Sequence, residues 1–119
     1  MSYQNLHVYQ RAHAFGVACH ELSLKLPKFE LFETGSQLRR AAKSVSANIV
    51  EGYGRKDYPA EHIRFVVFSL ASNDETNEWL RYIVDCHPEH TAAAQVLIAE
   101  CEEIGRMLTR LVQSLRSSN

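Results

Sequence analysis

Four stretches of the chain place apolar residues three and four positions apart, the spacing that lines one side of an α-helix. In the first stretch Val8, Phe15, Cys19 and Leu22 follow this spacing, and Pro27 ends it because a residue before proline is pushed out of the helical region. The stretches cover about residues 5–26, 36–55, 58–85 and 90–116. Long helices joined by short connections pack antiparallel, so the 119 residues predict a single all-α domain, an up-and-down four-helix bundle.

The second predicted helix has signals at both ends. A hydroxyl of Thr34 or Ser36 can cap its start. Near its end, Gly52 and Gly54 flank a tyrosine, and each glycine costs a helix interior about 1 kcal/mol relative to alanine. The glycine pair therefore predicts either a helix end or a kink where another backbone approaches closely.

The segment that precedes the second helix, residues 27–35, is too apolar for a free linker. Phe29, Leu31 and Phe32 lie within it, and large apolar side chains are normally removed from water. We expect these three side chains to fold back over the end of the bundle.

The third predicted helix begins near Pro59 and is apolar on two sides. One side carries Ile63, Val66, Leu70, Leu80 and Val84, and the other carries Phe65, Phe68, Ser72, Thr76, Trp79 and Ile83. A helix of a lone four-helix bundle buries one side only, so the second side predicts a homo-oligomer, with a large exposed patch as the alternative. Asn73, Thr76 and Asn77 interrupt the pattern and need hydrogen-bond partners, either in a water-lined channel or across subunits.

Positive charge is concentrated in one window of the chain. The formal net charge is −1 and the isoelectric point is near 6.6, which argues against a protein that coats nucleic acid over its whole surface. Residues 36–56, however, hold five Lys and Arg against one Glu. These five are the candidate contacts to RNA or DNA phosphates: Arg39, Arg40, Lys43, Arg55 and Lys56. The competing interpretation is a solvated face with local ion pairs, such as Arg55 with Glu51, four positions apart.

A second set of residues is the candidate subunit interface. Small side chains on the second helix let another backbone approach closely, and aromatic side chains on the third can pack against a neighbour. The set comprises Ser44, Asn48, Glu51, Tyr53, Phe65, Phe68 and Trp79.

Enzymatic chemistry has little support in the sequence. The turn at residues 86–90 offers Cys86, His87 and His90, and a metal-dependent enzyme using them is the alternative function, although adjacent cysteine and histidine rarely chelate one zinc. No serine lies in a nucleophile elbow, and no phosphate-binding loop is complete. We therefore expect a non-enzyme with no catalytic residue, no cofactor, no bound metal and no small-molecule substrate.

Compartment signals point to the cytoplasm. Three widely spaced cysteines, two of them on apolar stripes, predict reduced and buried thiols. The first residues lack an apolar run of signal-peptide length, and no apolar window is long enough to span a membrane.

The stretch QLRRAAKSVSANIVEGYGRK, at 37–56, resembles the central motif of the 23S rRNA intervening-sequence proteins, also called the S23 ribosomal protein family. Further similarity lies in VYQRA at 8–12, in Ser72-x-x-Glu75, and in Ile104-x-x-Met107-Leu108. The resemblance covers essentially the whole chain. It implies a cytosolic four-helix bundle that forms ring-like homo-oligomers, with five subunits as the expected number.

The resemblance implies less about function. A related branch comprises accessory proteins of reverse transcriptases in diversity-generating retroelements, and it resembles a basic, nucleic-acid-binding pentamer. This chain is mildly acidic overall, and it carries Asn73, Thr76 and Asn77 where the family usually has leucines. The sequence therefore predicts a non-enzymatic homo-oligomer that acts as an adaptor, with nucleic acid as the candidate second partner.

Overall fold

The computed structural model describes residues 2–118, and four long helices account for most of them. Helix α1 spans His7–Leu24, α2 spans Thr34–Tyr53, α3 spans Pro59–Cys86 and α4 spans Thr91–Ser117. Short 3₁₀ turns lie at Tyr3–Asn5, Lys28–Phe32 and Pro88–His90. The all-helical prediction is confirmed, because residues 2–118 contain no strand, and the predicted helix ends differ from these by one or two residues.

Each helix packs against its neighbour in the chain, and α4 packs against α1, so the helices enclose one core. The bundle measures 47 × 21 × 20 Å, and the 28 residues of α3, at about 1.5 Å each, run nearly its full length. Large side chains from all four helices fill the core, among them Phe15, Leu38, Val45, Ile49, Val66, Leu80, Ile83, Ile104 and Leu108. Removing these side chains from water is the main stabilising contribution to such a bundle.

The start of α2 differs from the prediction. Neither Thr34 nor Ser36 caps the helix with its hydroxyl, because Thr34 is already its first residue. The backbone N–H of Thr34 instead donates to the Glu30 carboxylate, with 3.3 Å between Thr34 N and Glu30 Oε1. The first backbone N–H of α2 is therefore capped by a side chain of the connector, Glu30, and not by a hydroxyl of the helix itself.

The other end of α2 agrees with the glycine signal. The helix ends at Tyr53, and Gly52 lies where α2 meets α3. A Cβ added to Gly52 would lie 3.2 Å from the carbonyl oxygen of His62 and 3.2 Å from the Cβ of Phe65. A close backbone approach at the helix end thus explains this glycine.

The prediction that the apolar side chains of the connector between α1 and α2 fold back over the end of the bundle is wrong. Phe29 and Phe32 are 63% and 85% exposed, and Leu31 is also exposed, so none of the three covers the end of the bundle. The residue that turns inward is Glu30, which is 5% exposed. Glu30 has a specific partner, His87, which is the first residue after the end of α3.

Two polar side chains of α3, Asn73 and Thr76, have hydrogen-bond partners inside the chain rather than across subunits. Asn73 Nδ2 donates to the carbonyl oxygen of Cys101 at 2.8 Å, and the Cys101 thiol donates back to Asn73. Thr76 Oγ1 donates to the carbonyl of Ser72 at 2.8 Å. Within residues 2–118, Asn77 Oδ1 is buried without a hydrogen-bond partner.

Candidate functional site

The basic residues on the first half of α2 have different surroundings. Arg39 is held in the fold: its guanidinium donates to Ser23 Oγ at 3.0 Å and to the Leu31 carbonyl at 2.7 Å. Arg40 and Lys43 are exposed on α2, and neither side chain has a hydrogen bond or ion pair to any residue from 2 to 118. Two of the three cations are thus available to a partner, and the third supports the connector.

The basic residues at the end of α2 lie against aromatic rings. Arg55 pairs with Glu51, and its guanidinium lies 4.4 Å from the centre of the Phe65 ring. Lys56 Nζ lies 4.2 Å from the centre of the Tyr53 ring. The local ion pair that the sequence offered as an alternative is present, so the charge of Arg55 is partly compensated.

The five candidate cations therefore do not form one patch. Arg40 and Lys43 lie on one turn of α2, whereas Arg55 and Lys56 lie in the turn that follows the helix. The part of α2 from Lys43 to Tyr53 alone spans about 15 Å at about 1.5 Å per residue. Two separate positive regions on one subunit can contact separate phosphates, but they do not enclose a single ligand.

The small polar residues of α2 make hydrogen bonds within the chain, one of them to α3 and two within α2. Ser44 Oγ lies 2.9 Å from Ser72 Oγ, and Asn48 Nδ2 donates to both the carbonyl and the hydroxyl oxygen of Ser44 at 2.9 Å. Ser69 Oγ also crosses between these helices, to the Val45 carbonyl at 2.7 Å. The Ser44–Ser72 and Ser69–Val45 hydrogen bonds join α2 to α3, and the role of Ser44 and Asn48 between subunits stays a prediction.

Aromatic side chains form a row along the outer side of α3, which we call the α3 aromatic stripe: Phe65, Phe68, Trp79 and Tyr82. The rings pack in pairs, with centres 5.3 Å apart for Phe65 and Phe68 and 5.7 Å apart for Trp79 and Tyr82. Phe68 is 41% exposed and Tyr82 is 48% exposed, while Phe65 and Trp79 are partly covered. The sequence pattern missed Tyr82, which follows Trp79 by three positions and shares its side of the helix.

The same helix also corrects two sequence assignments. Thr76 and Ile83 were expected on the side of the aromatic residues, yet both are fully buried in the core. The buried side of α3 consists of Val66, Ser69, Asn73, Thr76, Leu80 and Ile83. The aromatic row and the core row are therefore distinct, and α3 has two apolar sides as predicted.

The turn after α3 is not arranged as a metal site. His87 is buried with its Nε2 2.6 Å from Glu30 Oε2, whereas Cys86 is exposed, and His90 lies near Glu89 at 3.8 Å. No group of three His, Cys, Asp or Glu side chains among residues 2–118 is placed to hold a metal ion. The alternative of a metal-dependent enzyme at this turn has no support in this geometry.

The sequence predicts neither the burial of Glu30 nor its pairing with His87, which it offers only as a candidate metal ligand. Burial by itself would raise the pKa of Glu30, but hydrogen bonds from His87 and Thr34 and the charge of His87 outweigh it, and the pKa is lowered. Because a carboxylate only accepts hydrogen bonds, His87 Nε2 donates in this pair. An acid placed between Phe29 and Leu31 in the apolar connector, five positions before a glycine, was the available signal.

The cysteines agree with the prediction of buried thiols on apolar stripes. Cys19 and Cys101 are buried, Cys86 is exposed, and none of the three forms a disulfide. Burial raises the pKa of Cys19, and burial together with the charges of Asp74 and Glu102 raises the pKa of Cys101 to about 12. Thiols with such pKa values are not nucleophiles at neutral pH.

None of the helices in residues 2–118 combines the length and the apolar character that crossing a membrane requires.

Comparison with known proteins identifies relatives of this bundle. A solved structure of a protein of unknown function from the S23 ribosomal protein family of Bacteroides thetaiotaomicron superposes with a TM-score of 0.78 at 22% sequence identity. The match covers 89% of this chain and 95% of that one, which shows the shared fold. A search among curated proteins found no match. The family model described as 23S rRNA-intervening sequence protein matches residues 4–110, so the chain belongs to this family.

Proposed function

We propose that the protein is a non-enzymatic, ring-like homo-oligomer, with five subunits, that works as an adaptor in the cytoplasm. The observation that carries this proposal is the α3 aromatic stripe. Phe68 and Tyr82 remain exposed on a helix whose opposite side is already buried in the core. Exposed aromatic rows of this kind are typical of protein interfaces, where tyrosine, tryptophan and phenylalanine are enriched.

The surroundings of the stripe support a specific contact rather than a featureless apolar patch. Arg64 lies 5.3 Å from the centre of the Phe68 ring, and Trp79 Nε1 donates to Glu75 Oε2 at 3.0 Å. Charged side chains around aromatic rings resemble the polar rim of a protein interface. Such a rim determines how the two partners are oriented more than how tightly they bind. Five subunits follow from the resemblance, and a ring requires two unlike surfaces on each subunit.

Substitution of an exposed ring of the stripe tests the interface. Phe68→Glu would place a charge in the proposed contact without touching the core, so the variant should fold but associate at least about tenfold more weakly. Tyr58→Glu is the matched control, because Tyr58 is 70% exposed and lies outside the stripe. An unchanged oligomer in Phe68→Glu would remove the stripe from the interface.

Nucleic acid is the proposed second partner, and Arg40 is its central contact, with Lys43 beside it. They are exposed and without ionic partners among residues 2–118, and a ring would repeat them on every subunit. Arg39 contributes positive charge beside them, and Arg55 and Lys56 contribute it beyond the end of α2, while all three make intramolecular contacts. Repetition of a weak site can raise the overall affinity by orders of magnitude without further contacts.

RNA binding measured against salt concentration tests this second partner. Phosphate contacts release counterions, so affinity should fall steeply with salt, and Arg40→Glu should weaken both the affinity and that dependence. The control is Arg81→Glu, which changes the same charge at an exposed position elsewhere. Equal binding by the two variants, or no binding at low salt, would contradict the proposal.

A further inference from the structure

The connector between α1 and α2 has an inverted pattern of burial. Glu30 turns into the protein, whereas Phe29 and Phe32 project into water with 63% and 85% of their surfaces exposed. A carboxylate is costly to bury and an aromatic ring is costly to leave exposed. A buried acid next to exposed aromatic rings lowers the stability of the folded protein, and such costly arrangements are typical of functional surfaces. We refer to Phe29, Leu31 and Phe32 as the connector tip.

Several contacts hold the connector tip in this position. Glu30 bonds to His87 on one side and to the Thr34 N–H on the other. Arg39 donates to the Leu31 carbonyl, and a Cβ added to Gly35 would lie only 2.7 Å from the Glu30 carbonyl oxygen. The tip is therefore a preorganised element, and preorganisation lowers the entropic cost of binding.

A groove between α1 and α2 has the complementary character. It has a volume of about 340 Å³ and is lined by His13, Gly16, Val17, His20, Lys43 and Ser46. Its wall is mainly apolar, and Val17 in it is 47% exposed. Lys43 lies on its rim without an ionic partner among the described residues, and Arg40 is exposed one turn before it.

We propose that Phe32 of one subunit docks in the α1–α2 groove of a second copy, with Glu33 of the first facing Lys43 of the second. The exposed ring matches the apolar wall, and the acid that follows it matches the cation on the rim. This contact joins two unlike surfaces, which is what a closed ring requires, and it rests on the proposed homo-oligomer. It is a second contact between subunits, separate from the one proposed for the α3 aromatic stripe.

Variants at the tip and the groove test the contact through the association constant, measured by sedimentation across a concentration series. Phe32→Ser should weaken association by at least about tenfold, as expected for an aromatic anchor. Glu33→Lys and Lys43→Glu should each weaken it, and the combination should restore it because the charges are exchanged. Tyr58→Ser serves as the control, since Tyr58 is 70% exposed elsewhere on the bundle. Thermal unfolding of every variant verifies that it folds.

The outcomes separate this proposal from the proposed function. If the wild-type protein associates and Phe32→Ser associates equally well, the contact is wrong while the oligomer stands. If the wild-type protein is monomeric, both fail. Weakening by both charge variants without recovery in their combination would contradict the pairing of Glu33 with Lys43.

A crosslink distinguishes a second copy from a different protein as the occupant of the groove. In a Cys86→Ser background, subunits carrying Phe32→Cys are mixed with subunits carrying Val17→Cys under mild oxidation. A disulfide-linked dimer of the two is the expected result, and a mixture of Tyr58→Cys with Val17→Cys provides the control. Absence of the linked dimer, or equal linkage in the control, would overturn the proposal.

Discussion

His87 Nε2 lies 2.6 Å from Glu30 Oε2, and both side chains are buried. The pair joins the connector before α2 to the turn after α3, which are 57 residues apart in sequence. It is therefore one of the contacts that fix the direction of the connector tip. A buried pair of this kind specifies a conformation more than it adds stability, but removing one partner leaves the other uncompensated.

Glu30→Gln should lower the free energy of unfolding by about 3 kcal/mol at neutral pH, because it removes one charge of a buried pair. Chemical denaturation measures this value. Glu89→Gln is the control, since Glu89 is exposed and lies 3.8 Å from the same histidine. Equal effects of the two substitutions would contradict the role assigned to Glu30.

The same pair predicts a dependence on pH. The pKa of Glu30 is lowered in the folded protein, so its contribution is present above the unfolded pKa of about 4.3 and is lost as pH falls through the lower folded value. The stability difference between wild type and Glu30→Gln should therefore shrink below about pH 4. A difference that stays constant from pH 7 to pH 3 would show that ionisation of Glu30 does not contribute.

The two glycines that flank Tyr53 should respond oppositely to alanine. Gly52→Ala should destabilise the protein by about 1–3 kcal/mol, because the new methyl group meets the His62 carbonyl and Phe65. Gly54→Ala should be neutral or stabilising by up to about 1 kcal/mol, since its backbone is helical and its Cβ would contact only atoms at 3.6 Å. Thermal unfolding of both variants measures the difference, and similar melting temperatures would refute the close approach of α2 and α3.

The three thiols should differ in reactivity. Cys86 is exposed and should react with a thiol reagent within minutes, whereas Cys19 and Cys101 should react only after unfolding, because burial raises their pKa values. Mass spectrometry after alkylation should show one modification in the native protein and three in denaturant. Cys86→Ser should remove the native modification, and a second native modification would contradict the burial of the other two.

The sequence predicts the core well, because the position of a residue such as Leu38 or Ile104 depends on helical spacing alone, and both are fully buried. Its errors concern contacts between distant segments. Phe32 was expected to be covered, but its exposure follows from the pairing of Glu30 with His87, which spacing does not reveal. The partner of Asn73 likewise lies on α4, at Cys101.

The candidate cations show the same limit. Composition identifies the basic window, but it does not distinguish Arg39, which supports the connector, from Arg40, which is exposed. That difference arises because neighbouring positions on a helix point in directions about 100° apart, and one faces the connector. The subunit-interface residues remain predictions, and only a measurement on the assembled protein tests them.

Association of the chain with copies of itself is tested most directly by the mass of the native protein in solution, measured by light scattering at micromolar concentration. Five subunits predict a mass of five times the 13.6 kDa chain, and the mass should fall in Phe68→Glu. A mass of 13.6 kDa for the wild-type protein throughout that range would contradict the homo-oligomer.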